Sequence, residues 1–288
     1  MELSNINHIK ALLARHGFHF SKAMGQNFII DSSVCPRMAE SCAGDGDFGV
    51  IEIGPGIGVL TKEVSRVAKK VVAIELDTRL IPILKETLSD CDNVEVINAD
   101  AMKLDLAKLI EEKFSGLKVA VCANLPYYIT SPIIMGLLEA RLPLENITVM
   151  VQKEAAERLC AAPGDRECGA VSAAVSYYSE PSILFGVDRD CFLPAPKVDS
   201  AVISLKLRSE PPIKVDDEKH FFRCVKAAFS QRRKTVVNSV SATLSLDKQK
   251  LSSALEEKGI SPLARAEALT MDNLAALSEA VFSLKNEK

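Results

Sequence analysis

The feature of this sequence that most constrains its fold is a series of short, continuous apolar runs separated by helix-like segments. The runs are rich in β-branched residues and cover 50–53, 71–75, 94–97, 119–123, 147–151, 182–187 and 202–207. Because hydrophobicity continues through each run rather than alternating, we expect both faces of these strands to be covered. The segments between them supply that cover, which predicts an α/β fold with a doubly wound, mostly parallel sheet.

The pattern changes after the last of these runs. Residues 208–218 are polar and carry paired prolines, which is typical of a linker. The apolar residues of 221–229 then recur at helical spacing. We therefore predict two domains: an α/β domain over 1–209 and a small helical domain over 210–288.

The composition is that of a globular protein, with 48% hydrophobic and 25% charged residues. No apolar run reaches the roughly 18 residues of a membrane-spanning helix, and the N-terminal segment carries charges where a signal peptide is apolar. We expect a cytoplasmic monomer without membrane association. A net charge of −3 excludes a globally basic nucleic-acid binder but is compatible with a local basic face.

The cysteines give no sign of a metal site. Eight are spread along the chain without a C-x-x-C pair, and only four histidines accompany them. Zinc sites need ligands at short, repeated spacings. We therefore expect free thiols in a reducing compartment and no bound metal.

A glycine-rich loop, Gly54 to Gly58, follows the first apolar run. Glycines at such a turn permit close approach of the backbone to a nucleotide. The G-x-G-x-G spacing differs from the G-x-G-x-x-G of dinucleotide sites, and the Gly-Lys-Ser/Thr ending that cradles ATP phosphates is missing. On its own the loop is a weak signal.

Polar residues at the ends of the next three strands strengthen this interpretation. Glu75, Asp100 and Asn124 follow Gly54 at intervals of 21, 25 and 24 residues. One βαβ step per interval places all four at one edge of the sheet, where two acids can bind a ribose diol and an adenine amino group. Either acid alone could merely end its strand and face water. The four together predict an adenosine site without pyrophosphate, and hence S-adenosylmethionine.

The segment Asn124-Leu125-Pro126-Tyr127 lies where a second substrate would meet the cofactor. An amide oxygen can accept a hydrogen bond from a planar amino group, proline makes the turn rigid, and tyrosine offers a stacking face. These features suit an adenine held out of its stack. Without the cofactor loop, a strand-ending turn with a core tyrosine would be the better interpretation.

Six separated segments resemble the RsmA/KsgA family of small-subunit rRNA adenine dimethyltransferases, namely 25–29, 52–58, 74–77, 124–127, 192–200 and 221–234. The resemblance implies a Rossmann-like, class I methyltransferase fold with a seven-stranded sheet, followed by a helical RNA-binding domain. It also implies dimethylation of the 6-amino groups of two adjacent adenosines in the 3'-terminal hairpin of 16S rRNA, within the assembling small ribosomal subunit.

Carried over by matching position, the resemblance implies a role for each motif residue. The residues implied to bind S-adenosylmethionine are Asn27, Ile29, Gly54, Gly56, Glu75, Asp100 and Asn124. Those implied to hold the target adenine are Asn124, Leu125, Pro126, Tyr127 and Phe192. If Asn124 and the carbonyl of Leu125 or Pro126 accept the two amine hydrogens, the nitrogen lone pair is directed at the methyl group, with no metal and no general base. Residues 26–28 are implied to cover cofactor and base.

Basic residues are concentrated in 219–234, which contains no acid. The predicted RNA contacts are Arg223, Lys226, Arg232, Arg233 and Lys234. On a continuous helix Arg223, Lys226 and Arg233 share a face opposite the phenylalanines, as expected of a phosphate-binding ridge. A charged run is often only a solvated helix face, but next to methyltransferase motifs RNA docking is favoured.

Two other functions share some of these features. An Erm-type methyltransferase acting on 23S rRNA has the cofactor loop and an Asn-Leu-Pro-Tyr element, whereas the 192–200 and 221–234 segments favour the 16S enzyme. The chain could also be chiefly a ribosome-assembly factor whose catalysis is incidental.

Overall fold

The computed structural model describes residues 3, 5–20, 25–44 and 47–286. It divides the chain into two compact units. The sheet unit comprises Met1–Ala156 and Pro181–Leu207, and the helical unit comprises Glu157–Glu180 and Arg208–Lys288. The main part of the helical unit begins close to the predicted domain boundary at 209/210, but the unit also includes a segment from the middle of the chain.

The sheet unit is built on seven strands: β2 Phe48–Ile53, β3 Lys70–Glu75, β4 Val94–Asn98, β5 Lys118–Asn124, β6 Asn146–Gln152, β7 Ser179–Val187 and β9 Ser200–Leu207. They lie in the order β4-β3-β2-β5-β6-β9-β7. The pairs β4/β3, β3/β2, β2/β5 and β5/β6 are parallel, and β9 is antiparallel to β6. The predicted α/β fold with a mostly parallel seven-stranded sheet is confirmed.

Helices cover the strands, which explains the continuous apolar runs. The bounds in this part of the chain are α1 Ile6–Arg15, α2 Val34–Ala43, α3 Val59–Val67, α4 Ile81–Thr87, α5 Leu106–Lys113, α6 Thr130–Glu139 and α7 Lys153–Cys160. All six residues of β2 are buried. Met38 of α2 and Val64 of α3 pack with Val50 and Val71 in one hydrophobic cluster. The strands therefore gain their stability largely from removing apolar surface from water.

A second, two-stranded sheet fixes the segment that precedes α2. It pairs β1, Phe28–Ile29, with β8, Phe192–Leu193, in antiparallel register. Phe28 also packs in a cluster with Ile57, which follows the first two glycines of the loop, and with Leu80. These contacts hold residues 25–29 close to the loop that ends β2.

The helical unit is formed by α8 Ala170–Tyr178, α9 Glu218–Ala228, α10 Val236–Leu244, α11 Lys248–Glu257 and α12 Met271–Asn286. Side chains of Asp217, Thr235 and Asp247 cap α9, α10 and α11 by accepting backbone N–H bonds. The aromatic rings of Tyr177 and Phe221 have centroids 5.4 Å apart. The predicted helical character of this region is confirmed.

One sequence-based expectation about this unit is wrong. The helix that carries Arg223 and Lys226 does not continue to Arg233, because α9 ends at Ala228 and the chain turns before Thr235 caps the next helix. Arg232, Arg233 and Lys234 therefore belong to a turn. None of the described helices is long and apolar enough to cross a membrane.

Candidate functional site

A cavity of about 140 Å³ lies at the carboxyl ends of the parallel strands in the sheet unit. Its walls come from residues 25–29, from the glycine loop after β2, and from the residues that end or follow β3, β4 and β5. The predicted residues that line it are Asn27, Ile29, Gly54, Gly56, Glu75, Asp100, Asn124, Leu125, Pro126 and Tyr127. The parallel register brings together residues that are far apart in sequence, as the spacing predicted.

The glycine loop requires its glycines for two different reasons. Gly54 and Gly56 have φ angles of +72° and +62°, in the left-handed region that side chains disfavour. A Cβ on Gly56 would also lie 3.1 Å from Cε1 of Phe28. A Cβ on Gly54 would meet no described atom within 4 Å. The loop thus combines a tight turn with open space above Gly54.

Glu75 ends β3 and is only 5% exposed. Its two carboxylate oxygens accept backbone N–H bonds, Oε1 from Asp77 at 2.7 Å and Oε2 from Gly56 at 3.2 Å. Burial raises the pKa of Glu75, while the bonds from Asp77 and Gly56 oppose that rise. The carboxylate is therefore fixed between the glycine loop and β3, and its remaining lone pairs can accept further hydrogen bonds.

Asp100 follows β4 and is half-buried at the cavity wall. Its Oδ1 accepts the N–H of Met102 at 3.0 Å, which closes a local turn. Lys103 Nζ lies 3.4 Å from Oδ2. The side chain of Asp100 thus has a defined orientation, and its Oδ2 is contacted only by the more distant Lys103 among the described residues.

Asn124 ends β5 and its amide is oriented by the facing segment. Nδ2 donates to the carbonyl oxygen of Asn27 at 3.1 Å. Since the nitrogen is used in this way, Oδ1 remains as the acceptor. Asn124 therefore offers a hydrogen-bond acceptor at the same strand edge as Glu75.

The two carbonyl groups after Asn124 are not equivalent. The oxygen of Pro126 accepts the N–H of Ile129 at 3.1 Å and the hydroxyl of Thr130 at 3.4 Å. In the part of the chain that the structure describes, the oxygen of Leu125 accepts no hydrogen bond. Of the two acceptors predicted for a target amine, Leu125 is thus the better suited.

Tyr127 lies at the far side of this turn and is half-buried. Its hydroxyl is 2.7 Å from Oγ of Ser200, the first residue of β9. Burial raises the pKa of Tyr127, and the Ser200 bond opposes that rise. The hydrogen bond anchors the edge of the ring, so that its face has a fixed direction at the cavity.

Phe192 is the one predicted target-base residue that the structure does not bring to the cavity. It is 3% exposed and packs in the hydrophobic cluster that contains Ile29, Met150 and Val202. Its backbone pairs with Ile29 across the two-stranded sheet. Its ring therefore packs in the core beside β1 in this structure, and stacking of Phe192 on the target adenine stays a prediction.

Glu52 also lines the cavity but was not among the predicted site residues. Glu52 is 1% exposed, and among the described residues its Oε2 has no hydrogen-bond partner. Burial raises its pKa to about 8. The available signal was an acid inside an otherwise apolar strand, because an unpaired carboxyl in such a place costs stability and needs a reason.

The predicted RNA contacts all lie in the helical unit. Arg223 and Lys226 are exposed on α9, one turn apart. Arg232, Arg233 and Lys234 are exposed in the turn before α10, where Arg232 Nη2 lies 3.9 Å from Glu167. The unit therefore presents accessible positive charge, although not as a single helical ridge.

The eight cysteines are free thiols. Across residues 3, 5–20, 25–44 and 47–286, no group of three or more His, Cys, Asp or Glu side chains is arranged to hold a metal ion.

Comparison with known proteins agrees with this geometry. Residues 17–281 match the family described as ribosomal RNA adenine dimethylase. A ribosomal RNA small subunit methyltransferase A from Geobacillus thermodenitrificans is 49% identical over 96% of this chain and 95% of its own length. The crystal structure of the 23S rRNA methyltransferase ErmE superposes with a TM-score of 0.68 and 28% identity, over 88% of this chain and 99% of that one.

A dimethyladenosine transferase from Plasmodium falciparum has a similar structure, with a TM-score of 0.69 and 26% identity over 84% of this chain and 93% of that one. The family match covers both units and every segment that lines the cavity. The chain therefore belongs to the ribosomal RNA adenine dimethylase family.

Proposed function

We propose that this protein transfers methyl groups to the 6-amino groups of two adjacent adenosines in the 3'-terminal hairpin of 16S rRNA. The observation that carries the proposal is the cavity in which two acceptors, Oδ1 of Asn124 and the carbonyl of Leu125, share a sheet edge with Glu75 and Asp100. The relatives named for the small ribosomal subunit support 16S rather than 23S rRNA as the target.

The lining fits S-adenosylmethionine as the methyl donor. The anchored carboxylate of Glu75 suits a ribose diol, and the half-buried carboxylate of Asp100 suits an adenine amino group. The buried Oε2 of Glu52, which has no partner among the described residues, suits a ligand that brings positive charge and N–H donors. Gly54, Gly56, Asn27 and Ile29 would complete the cofactor site. When bound, S-adenosylmethionine supplies an electrophilic methyl group on a sulfonium.

The chain's own residues orient the target nitrogen. An adenine amino group is a poor nucleophile because its lone pair is delocalised into the ring. Acceptance of its two hydrogens by Asn124 and Leu125 favours a tetrahedral nitrogen and directs the lone pair, an effect of positioning more than of acid–base chemistry. The ring of Tyr127 would contribute roughly 1–3 kcal/mol by stacking. The proton released after transfer passes to water, so neither a general base nor a metal is part of the proposal.

The helical unit would bind the RNA. The exposed side chains of Arg223, Lys226, Arg232, Arg233 and Lys234 can neutralise phosphates without base-specific contacts. We further propose that the protein acts as a monomer in the cytoplasm, on small subunits during their assembly.

The proposal is tested by methyl transfer from labelled S-adenosylmethionine to undermethylated small ribosomal subunits and, in a parallel reaction, to unmethylated 23S rRNA, followed by nucleoside analysis and mapping by primer extension. We expect dimethyladenosine at two adjacent positions near the 3' end of 16S rRNA. Label in 23S rRNA instead would establish the Erm-type activity. An Asn124→Ala variant that keeps its full effect on subunit assembly would favour an assembly factor, and absence of label in either RNA would refute the proposal.

A further inference from the structure

A side-chain hydrogen bond joins the segment before β1 to the segment after β3. Gln26 Nε2 donates to Oδ2 of Asp77 at 2.9 Å. Asp77 is 5% exposed and Gln26 is half-buried, so this bond is partly shielded from water. Shielded hydrogen bonds to an ionised group are among the stronger ones in proteins.

Asp77 itself is held from several directions. Arg79 donates to Oδ1 through Nε at 2.9 Å and to Oδ2 through Nη2 at 2.6 Å, and its backbone N–H reaches Oδ1 at 3.1 Å. These bonds from Arg79 lower the pKa of Asp77 despite its burial. An ionised Asp77 is an acceptor only, which requires the amide nitrogen of Gln26 to face it.

Asp77 is also hydrogen-bonded to Glu75, the residue proposed to bind the ribose. Its backbone N–H donates to Oε1 of Glu75 at 2.7 Å, and the other oxygen of Glu75 accepts from Gly56. Through Asp77, the side chain of Gln26 is therefore held at a fixed position relative to the Glu75 carboxylate and the glycine loop.

The residue after Gln26 meets Asn124. The carbonyl of Asn27 accepts Nδ2 of Asn124 at 3.1 Å, and this bond decides which end of the amide faces the cavity. The direction of the Asn124 acceptor therefore depends on where the backbone at residues 26 and 27 lies.

We propose that Gln26 and Asp77 are positioning residues for methyl transfer, which hold the Asn27 carbonyl so that Oδ1 of Asn124 is directed at the target amine. The inference rests on the proposed function, because it assigns Asn124 to the amine. Under this proposal one series of hydrogen bonds fixes the cofactor end and the target end of the cavity relative to each other. The series runs through Glu75, Asp77, Gln26, Asn27 and Asn124.

The first measurement is kcat for methyl transfer to undermethylated small subunits at saturating S-adenosylmethionine. We expect Gln26→Ala to lower kcat by about 10- to 100-fold, since a displacement on the order of 1 Å at a catalytic group can cost 10²-fold. We expect Asp77→Asn to lower kcat as well, and the double variant to be no slower than the slower single variant, because both act on one geometry. Multiplicative losses in the double variant would contradict a shared role.

The second measurement separates positioning from a merely structural contribution. In a Gln26→Glu variant the new side-chain carboxyl would face the carboxylates of Asp77 and Glu75, with Arg79 already bonded to Asp77. The like charges raise the pKa of the new carboxyl, and only its protonated form can donate to Asp77. We therefore expect the ratio of variant to wild-type kcat to rise as the pH is lowered from about 8.5 to about 6.

Gln249, exposed on α11, provides the matched control, and Gln249→Glu should keep a ratio near one at every pH. If Gln26→Ala unfolds at a lower temperature while kcat of the folded protein stays within twofold of wild type, the pair is only structural and the inference is wrong. If wild type itself transfers no methyl group, the proposed function fails, and the positioning role fails with it.

Discussion

The acidic side chains around the cavity of the sheet unit and the basic side chains at 232–234 of the helical unit are held in opposite ways. Around the cavity, Glu75 and Asp77 are each 5% exposed and every carboxylate oxygen of the two has a partner within 3.2 Å. In the helical unit, Arg232 and Arg233 are exposed, and the ion pair that Arg232 makes is 3.9 Å long. The difference fits the proposed roles, because methyl transfer needs fixed groups whereas phosphate binding needs only accessible positive charge.

The largest effect is expected from Asn124→Ala, which tests whether the fixed polar groups around the cavity serve methyl transfer. The change removes the acceptor proposed for the target amine, and we expect kcat for methyl transfer to fall by about 10²- to 10³-fold, the size of loss seen when one preorganised hydrogen-bonding group is removed. The assay is methyl transfer to undermethylated small subunits at saturating cofactor.

Calorimetric titration with S-adenosylhomocysteine controls for damage to the cofactor site, because Asn124 also lines it. We expect the affinity of Asn124→Ala to change far less than its kcat. A kcat within a few-fold of wild type would show that the hydrogen bonds that orient Asn124 do not serve methyl transfer.

Glu52 differs from Glu75 and Asp77 at the cavity, because its Oε2 has no hydrogen-bond partner among the described residues. Burial raises the pKa of Glu52 from 4.5 to about 8, so between these values the folded state binds more protons than the unfolded state. The titration of Glu52 therefore lowers the free energy of unfolding of wild type as the pH rises through this window.

Glu52→Gln removes this titration. Relative to wild type, the variant should gain about 3 kcal/mol in free energy of unfolding between about pH 5.5 and pH 8, at roughly 1.4 kcal/mol for each pH unit. Urea unfolding at both pH values measures it, with Glu111→Gln on the exposed face of α5 as the control. A parallel pH dependence in wild type and Glu52→Gln would mean that the buried carboxyl is ionised throughout.

The basic region is tested by changing Arg232, Arg233 and Lys234 together to glutamate. RNA affinity should fall by about 10-fold or more and the salt dependence of binding should flatten by roughly 0.7 per lost phosphate contact, while cofactor affinity is unchanged. Filter binding to a 16S fragment over a salt series measures both quantities. Lys248→Glu/Lys250→Glu, also exposed in the helical unit, is the control for charge alone. Equal losses in the two variants would mean that no particular surface is used.

The site residues at the carboxyl ends of the parallel strands could be predicted from sequence because the information about them is local and periodic. Each parallel strand is marked by an apolar run, and the register then places Gly54, Glu75, Asp100 and Asn124 at one edge without knowledge of any side-chain contact.

What could not be predicted depends on contacts between distant segments. The Gln26–Asp77 bond spans 51 residues, and no pattern at either position indicates it. The end of α9 depends on where Thr235 caps the following helix, whereas the residues between are all compatible with a continuous helix. Phe192 was placed by resemblance at the target base, but which face of a two-residue strand is buried depends on its pairing with β1.

Phe192→Leu gives the smallest effect and decides between the two roles for this residue. If the ring only fills the core beside Ile29, the shortened side chain should lower the free energy of unfolding by about 1–1.5 kcal/mol, typical of a hydrophobic exchange in a packed interior. In that case kcat for methyl transfer stays within twofold of wild type, because Tyr127 alone supplies the stacking face. Thermal unfolding and the transfer assay on the same sample measure both quantities. A 10-fold loss of kcat with an unchanged melting temperature would return Phe192 to the target base, and would mean that its burial is relieved when RNA binds.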